Sequence, residues 1–228
     1  MKTQLRQTKR QRISKRKFNQ ILRLFCQDLT ALDTARIVKV NPKTADRYYN
    51  YFRKLVFKEQ LKQIKSKFGG EIEIDEAYFG AKRIRGRRGR GARGKIPVVG
   101  ILKRNGTVYA QIVKDCTRQE LLPVIRGKIL DDSTIYTDGW RSYDALIVSG
   151  YKHYRIFHSK NEFARGKNHI NGIESFWSFV KRRFNQFNGV PRDKFLVYLK
   201  ESEWRFNNRK CHLVKQLKKL IKQSRNTS

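Results

Sequence analysis

Apolar residues recur at helical spacing in the first part of the chain, between residues 18 and 57. A first stripe with the spacing of one helix face consists of Phe18, Ile21, Leu22 and Phe25. Thr30 followed by Asp33 is similar to a capping box, which predicts a short second helix that ends near Val38. The segment therefore begins with two helices in close succession.

A third helix is predicted to begin at Asn41-Pro42 and to run to about Val56, because asparagine caps helices and proline suits their first position. Its inward face is predicted to hold Ala45, Tyr48, Phe52 and Leu55. Another face carries Lys43, Arg47 and Asn50, which could reach a DNA major groove. The pattern indicates a helix-turn-helix. An ordinary three-helix bundle gives the same spacing, but the basic face favours DNA.

The pattern changes at Gly69, where alternation with period two replaces helical spacing. Strands are predicted at 71–79, 97–103 and 107–113, and Asn105-Gly106 is a strong hairpin signal between the last two. Further along, the pattern predicts helices at 118–128, 141–148, 170–187 and 192–207, with strands at 134–137 and 154–157. This is the order of a ribonuclease-H-like domain. The fold class is α/β: a ribonuclease-H-like mixed sheet with flanking helices, preceded by a small all-α helix-turn-helix domain.

Positive charge dominates the composition, with 53 lysines and arginines against 19 acidic residues and a formal net charge of +34. Such a field favours a nucleic acid as partner, because a membrane surface is more often met by one amphipathic basic helix or a lipid anchor. No apolar run is long enough to span a bilayer and the start of the chain is not like a signal peptide, so we expect a cytoplasmic protein. The three cysteines show no zinc-ribbon spacing.

Two segments concentrate this charge. Residues 1–17 hold eight basic residues and no acid, and the segment 82–95 between the first two strands holds eight more with four glycines. Each could be a solvated segment, but like charges at this density favour contact with DNA phosphates. The candidate contacts in the second segment are Arg85, Arg87, Arg88, Arg90 and Arg93.

Three carboxylates stand at informative places in the predicted elements. Asp75 lies in the middle of a strand, where a carboxylate is costly to bury unless it is paired or binds a metal. Asp138 directly follows the strand 134–137, and Glu174 comes 36 positions later on a helix. A polar sector of that helix holds Asn171, Glu174, Ser178 and Lys181. Taken singly, an Asp-Gly turn and a two-faced surface helix explain these features equally well.

Four segments in sequence order are specific as a set. They are Ile74-Asp-Glu-Ala-Tyr-Phe-Gly80, Tyr136-Thr-Asp-Gly-Trp140 with Tyr143, His169-Ile-Asn-Gly-Ile-Glu-Ser-Phe-Trp177 with Lys181-Arg182, and Arg205-Phe-Asn-Asn-Arg209. Together they span residues 71 to about 210. In this set the chain resembles bacterial insertion-sequence transposases of the DDE class, in the group with a lysine after the glutamate, written DDEK.

The resemblance implies that Asp75, Asp138 and Glu174 hold two Mg²⁺ ions, with Mn²⁺ as a substitute, for DNA cleavage and strand transfer. It implies that Lys181 is a catalytic residue that contacts DNA together with Arg182, and that Asn171 and His169 support the site. The partners would be the element's double-stranded ends and target DNA, bound by a dimer or higher oligomer. The expected domains are an arm at 1–17, a helix-turn-helix at 18–68, a catalytic domain at 69–210 and a basic tail at 211–228.

Two departures from the family pattern stay open at this level. Many relatives carry a cysteine-rich zinc ribbon at the N-terminus, which this chain lacks, so recognition of the ends falls to the helix-turn-helix. Some use asparagine as the third ligand, and Asn171 lies one turn before Glu174.

Two other functions also fit the residues: a ribonuclease-H-like nuclease, or a DNA-binding regulator without catalysis.

Overall fold

The computed structural model describes residues 13–62, 66–80, 94–138, 151–156 and 169–226. The chain divides into a terminal unit, Met1–Leu61 with Asn208–Ser228, and a central unit, Lys62–Asn207. The described elements are α1 (Lys15–Cys26), α2 (Ala31–Val38), α3 (Pro42–Lys62), β1 (Glu71–Phe79), β2 (Ile96–Lys103), β3 (Val108–Ile112), α4 (Arg118–Lys128), β4 (Thr134–Asp138), β5 (Lys152–Ile156), α5 (Asn171–Gln186), α6 (Phe195–Asn207) and α7 (Leu213–Asn226). Among the described helices, none is long and apolar enough to cross a membrane.

Local capping sets the starts of α2 and α3 in the terminal unit. The side chain of Thr30 accepts a hydrogen bond from the N–H of Asp33 at 3.1 Å. Asn41 accepts one from the N–H of Lys43 at 2.9 Å, and Pro42 is the first residue of α3. Both helix starts predicted from the sequence are confirmed, because the capping interactions that define them are local.

The core of the terminal unit is built on aromatic residues. Tyr49 is 1% exposed, with its ring centroid 5.0 Å from that of Phe25 and its hydroxyl 2.5 Å from that of Thr34. Tyr48, expected on the inward face, is half-buried and packs at the border of this core, with its ring centroid 5.5 Å from that of Phe18. The buried face of α3 instead repeats at i, i+4, i+7 and i+11 through Ala45, Tyr49, Phe52 and Val56.

The C-terminal residues form the helix α7, where the sequence analysis expects only a basic tail. This helix packs against α1, and its buried residues Leu217 and Ile221 lie one turn apart. The other positions of this helix expose five basic side chains: Lys215, Lys218, Lys219, Lys222 and Arg225. The terminal unit therefore combines residues from both parts of the sequence that flank the central unit.

The central unit contains a five-stranded mixed sheet in the order β3-β2-β1-β4-β5. The strands β1, β2 and β3 pair antiparallel, and the Asn105-Gly106 turn joins β2 to β3 as predicted. The strands β4 and β5 continue the sheet parallel to β1. This order confirms the ribonuclease-H-like mixed sheet with flanking helices.

Helices cover both faces of this sheet. One core cluster joins β1 to α5 and α6 through residues that include Ala77, Phe79 and Trp177. The other joins the alternate residues of β1, Ile72 and Ile74, to α4. Side chains at odd-numbered positions of β1 therefore face α5, and this places Asp75 on the α5 side.

Some predicted segments fall outside the described residues. These are most of the basic arm, the basic segment after β1 with Arg85, Arg87, Arg88, Arg90 and Arg93, and the helix expected at 141–148. The other helices and strands predicted for the central unit are present, with ends shifted by a few residues.

Candidate active site

Asp75 and Asp138 lie next to each other on neighbouring parallel strands. The last pair in the β1–β4 ladder joins Ile74 to Thr137, and the two aspartates are the next residues on each strand. Asp138 is the final residue of β4. Two carboxylates that are 63 positions apart in the sequence are thus brought together by strand register alone.

The helix α5 lies close over the α5-facing side of the sheet. Gly100 is paired with Asp75 across the β1–β2 ladder, and a Cβ built on it would lie only 2.5 Å from the indole of Trp177. The buried side of α5 holds the expected apolar residues Ile173, Phe176, Trp177, Val180 and Phe184, and Arg183 is buried as well. The absence of a side chain at Gly100 lets this helix approach the strand that carries Asp75.

The polar sector of α5 is exposed, as the sequence predicts. Its side chains Asn171, Glu174, Ser178 and Lys181 are all exposed, and so is the following residue, Arg182. His169, just before the helix, is half-buried, and its Nδ1 lies 3.7 Å from the carboxylate of Glu73.

The charges of these residues act on one another. The pKa of Asp75 is raised to about 6, first by burial and then by the like charge of Asp138. Glu174 raises this pKa as well, whereas a hydrogen bond from the N–H of Glu76 and the positive charge of Lys181 lower it. The carboxylates and the lysine singled out from the sequence therefore share one electrostatic environment.

This environment suits a divalent cation. Clustered carboxylates repel one another, and oxygen ligands of this kind hold Mg²⁺ and Mn²⁺ in proteins. Among the described residues, however, no three His, Cys, Asp or Glu side chains lie close enough to form a complete metal site. Binding of an ion would require the three carboxylates to close on it.

A buried network that the sequence analysis does not predict lies beside these carboxylates. Glu73 is 1% exposed, and its Oε1 accepts a hydrogen bond from Nε of Arg104 at 3.0 Å. Its Oε2 accepts one from the backbone N–H of Ile173, in the first turn of α5, at 2.9 Å. Arg104 also donates to the backbone carbonyl of His169 at 2.5 Å. The same guanidinium stacks on the ring of Tyr136, 3.7 Å from its centroid.

A signal for Glu73 was present in the sequence. Glu71, Glu73 and Asp75 share one parity in β1, which in a half-exposed strand would put all three in solvent. Because α5 covers that face, Glu73 is buried and Asp75 is half-buried instead. Gly172 in α5 is a second sequence signal for Glu73, since a Cβ at this position would lie 2.8 Å from Oε2 of Glu73.

The candidate DNA-reading residues lie on α3 in the terminal unit. Lys43 and Arg47 are exposed, and Asn50 is half-buried. The amide of Asn50 donates to the carboxylate of Asp46 at 2.9 Å, so Asp46 belongs to the same face. Asp46 is not among the DNA contacts predicted from the sequence.

Comparison with known proteins places the chain in a family. The family model described as ISXO2-like transposase domain matches residues 67–207, more than half of the chain and nearly all of the central unit. The chain belongs to the ISXO2-like transposase family. Asp75, Asp138 and Glu174 of this transposase all fall within the matched region.

Two curated relatives and one solved structure are similar to this transposase. An uncharacterized transposase-like protein of Haemophilus influenzae is 48% identical over 118 residues, which cover 51% of this chain and 95% of the relative. An uncharacterized protein in transposable element ISH50 of Halobacterium salinarum is 31% identical over 153 residues, 60% of this chain and only 52% of that relative. The catalytic core domain of BIV integrase aligns with a TM-score of 0.42 at 13% identity, over 64% of this chain and 87% of that chain. The fold assignment rests on the strand order described above.

Proposed function

We propose that this transposase binds the ends of an insertion sequence, cuts the DNA there with the help of divalent metal ions, and joins the ends to target DNA. One observation carries the proposal: strand register places Asp75 next to Asp138 on β1 and β4, where burial, Asp138 and Glu174 raise the pKa of Asp75 to about 6. A carboxylate whose pKa is raised by neighbouring carboxylates favours a bound cation, because the ion replaces repulsion by attraction.

In this proposal Asp75, Asp138 and Glu174 hold the ions. Asp75 is the residue on which the charges of both other carboxylates act. Two Mg²⁺ ions, or Mn²⁺ in their place, would supply Lewis-acid activation of the phosphodiester and of the attacking oxygen. Lys181 and Arg182 are exposed on α5, and the charge of Lys181 acts on Asp75; both side chains would bind the DNA phosphates. Asn171, one turn before Glu174, is the alternative third ligand.

DNA recognition is assigned to the terminal unit. Lys43, Arg47 and Asn50 on α3 would face the major groove, where arginine pairs with guanine and asparagine with adenine. The basic arm, the basic segment after β1 and the exposed basic face of α7 would contact phosphates without reading bases. Joining two ends in one reaction favours a dimer or higher oligomer, which we assign to the DNA-bound complex. The expected place of action is the bacterial cytoplasm, at the nucleoid.

The direct test uses the purified chain and a DNA duplex that carries the inverted repeats flanking its gene. With Mg²⁺ or Mn²⁺ present, we expect nicks at the repeat ends and then joined products with target DNA, both abolished by a chelator. Nicking without joining would support a nuclease of the same fold. Specific binding with no metal-dependent product would support a regulator, and either result contradicts the proposal.

A further inference from the structure

The helix α5 begins without a side-chain cap of its own. Its N-cap residue is Ile170, which cannot accept a hydrogen bond through its side chain. The N–H of Glu174 makes an intrahelical bond, to the carbonyl of Ile170 at 3.2 Å. The N–H of Ile173, one residue earlier, is bound by the carboxylate of Glu73 at 2.9 Å. A residue of β1 thus caps α5 directly before Glu174.

This cap also has the right charge for its place. A carboxylate at a helix N-terminus interacts favourably with the partial positive charge of the free N–H groups. Glu73 lies two residues before Asp75 on the same face of β1, about 7 Å along the strand. One strand therefore carries both Asp75 and the group that fixes the start of the helix bearing Glu174.

Arg104 extends the network to the third element. Its guanidinium stacks 3.7 Å from the ring centroid of Tyr136, which lies two residues before Asp138 on β4. The hydroxyl of Tyr136 donates to Glu71 at 3.0 Å, and Arg104 contacts the same carboxylate at 3.4 Å. The network therefore contacts each of the three elements one or two residues before the carboxylate that the element carries.

We propose that Glu73 and Arg104 are positioning residues, which hold β1, β4 and the first turn of α5 so that Asp75, Asp138 and Glu174 can close on a metal ion. This inference rests on the proposed function for those three carboxylates. A buried ion pair adds little net stability compared with apolar residues of similar volume, so stability alone does not explain it. Groups that orient metal ligands from outside typically change metal affinity or activity by about 10- to 100-fold when removed.

The test compares two buried glutamates in the full-length protein. Glu73→Gln removes the charge beside α5 but keeps the side-chain shape. Glu201→Gln is the matched control, because Glu201 is also 1% exposed and accepts from Arg183 of α5 at 2.8 Å, ten residues after the first turn. Binding of Mn²⁺ alone is measured without DNA by the electron paramagnetic resonance signal of the free ion. Hydrogen exchange of the peptide spanning 169–177 reports the first turn of α5.

We expect Glu73→Gln to weaken Mn²⁺ binding by about 10- to 100-fold and to speed exchange in the first turn of α5. Glu201→Gln should lower the melting temperature to a similar extent but leave Mn²⁺ binding and this exchange unchanged. Gly172→Ala should act like Glu73→Gln, because the added methyl group meets Oε2 of Glu73 and the side chain of Leu102. The single variants Glu73→Gln and Arg104→Met act on the same network. The double variant should therefore bind Mn²⁺ no more weakly than the weaker-binding single variant.

Wild-type Mn²⁺ affinity in Glu73→Gln, together with loss of binding in Asp75→Ala, would overturn the positioning role and leave the proposed function standing. An equal loss in Glu201→Gln would also overturn it, since the effect would then follow stability alone. Wild-type binding in Asp75→Ala would contradict the proposed function itself. In that case unchanged exchange in Glu73→Gln would still overturn the role of Glu73 in fixing α5.

Discussion

Asn207 pairs with both backbone groups of Val108: its side-chain oxygen accepts from the N–H at 2.8 Å and its amide donates to the carbonyl at 2.9 Å. Ala110 lies two residues further along β3. Its N–H donates to Glu203 at 2.9 Å, and its carbonyl accepts from Lys200 at 2.9 Å. One face of α6 therefore does for the open edge of β3 what another strand would do. These contacts protect the β3 edge of the sheet from pairing with another chain.

Asn207→Ala should destabilise the central unit, because it leaves a buried N–H and carbonyl of Val108 without partners. We expect a loss of about 1–3 kcal/mol in the free energy of unfolding, measured by urea denaturation. Asn185→Ala, at an exposed position of α5, is the control and should change it by less than about 0.5 kcal/mol. Equal effects of the two variants would contradict the edge-covering role.

Two glycines should respond to alanine in opposite directions. Gly100→Ala places a methyl group 2.5 Å from the indole of Trp177, so α5 must shift, and we expect a loss of about 1–3 kcal/mol in stability. Gly127 lies inside α4, where an added methyl group would meet open space, so Gly127→Ala should add about 0.5–1 kcal/mol. Thermal unfolding of both variants checks the signs. A stabilised Gly100→Ala would show that α5 is not held close to the sheet.

Lys128 provides a prediction about pH. Burial lowers the pKa of Lys128 from its ordinary 10.5 to about 8; Lys200 lowers it too, whereas Glu203 acts in the opposite direction. Its ammonium group lies over the rings of Phe68 and Tyr109. Between pH 8 and 10.5 the unfolded chain binds more protons at this site, so the site's contribution to stability rises with pH.

The measurement compares the wild type with Lys128→Met by urea denaturation at both ends of this range. The free energy of unfolding of the wild type, relative to that of the variant, should increase as the pH rises. Lys103→Met, at an exposed lysine, serves as the control and should show no such trend. A constant difference between the wild type and Lys128→Met would contradict the lowered pKa.

The two kinds of DNA contact should separate in binding experiments. Arg47→Ala should reduce discrimination between element ends and random DNA by about 1–3 kcal/mol, if Arg47 makes a bidentate base contact. Deleting residues 1–12, which stops before α1, should weaken binding to both DNAs nearly alike and lower the salt slope. Binding isotherms on the two DNAs at several salt concentrations measure both effects. Discrimination that survives in Arg47→Ala but is lost on deletion would reverse the two assignments.

The sequence predicts features set by local chemistry and by periodicity. The caps at Thr30 and Asn41 and the Asn105-Gly106 turn need only neighbouring residues, and each is present. The apolar side of α5 is likewise visible from spacing alone. The shift from Tyr48 to Tyr49 in α3 shows the limit, because two adjacent tyrosines fit an apolar stripe almost equally well and only packing against Phe25 separates them.

The site is only partly predictable for a physical reason. Asp75, Asp138 and Glu174 stand out because the residue types and their order are specific. Glu73 and Arg104 do not, since their pairing depends on a hairpin that returns the chain to β1 and on a helix that covers a polar strand face. The sequence does carry a signal for the helix α7, because Leu213, Leu217 and Ile221 recur at helical spacing, but the high positive charge of the segment favoured a tail.

The central claim is that three carboxylates hold the metal ions and that DNA recognition does not depend on them. Its most direct measurement is Mg²⁺-dependent cleavage at the element ends by Asp75→Ala, Asp138→Ala, Glu174→Ala and Asn171→Ala, with end binding measured on the same samples. We expect no cleavage by the first three variants, cleavage by Asn171→Ala, and wild-type end binding by all four. Cleavage by Glu174→Ala and none by Asn171→Ala would contradict the third ligand, and cleavage by Asp75→Ala or Asp138→Ala would contradict the claim itself.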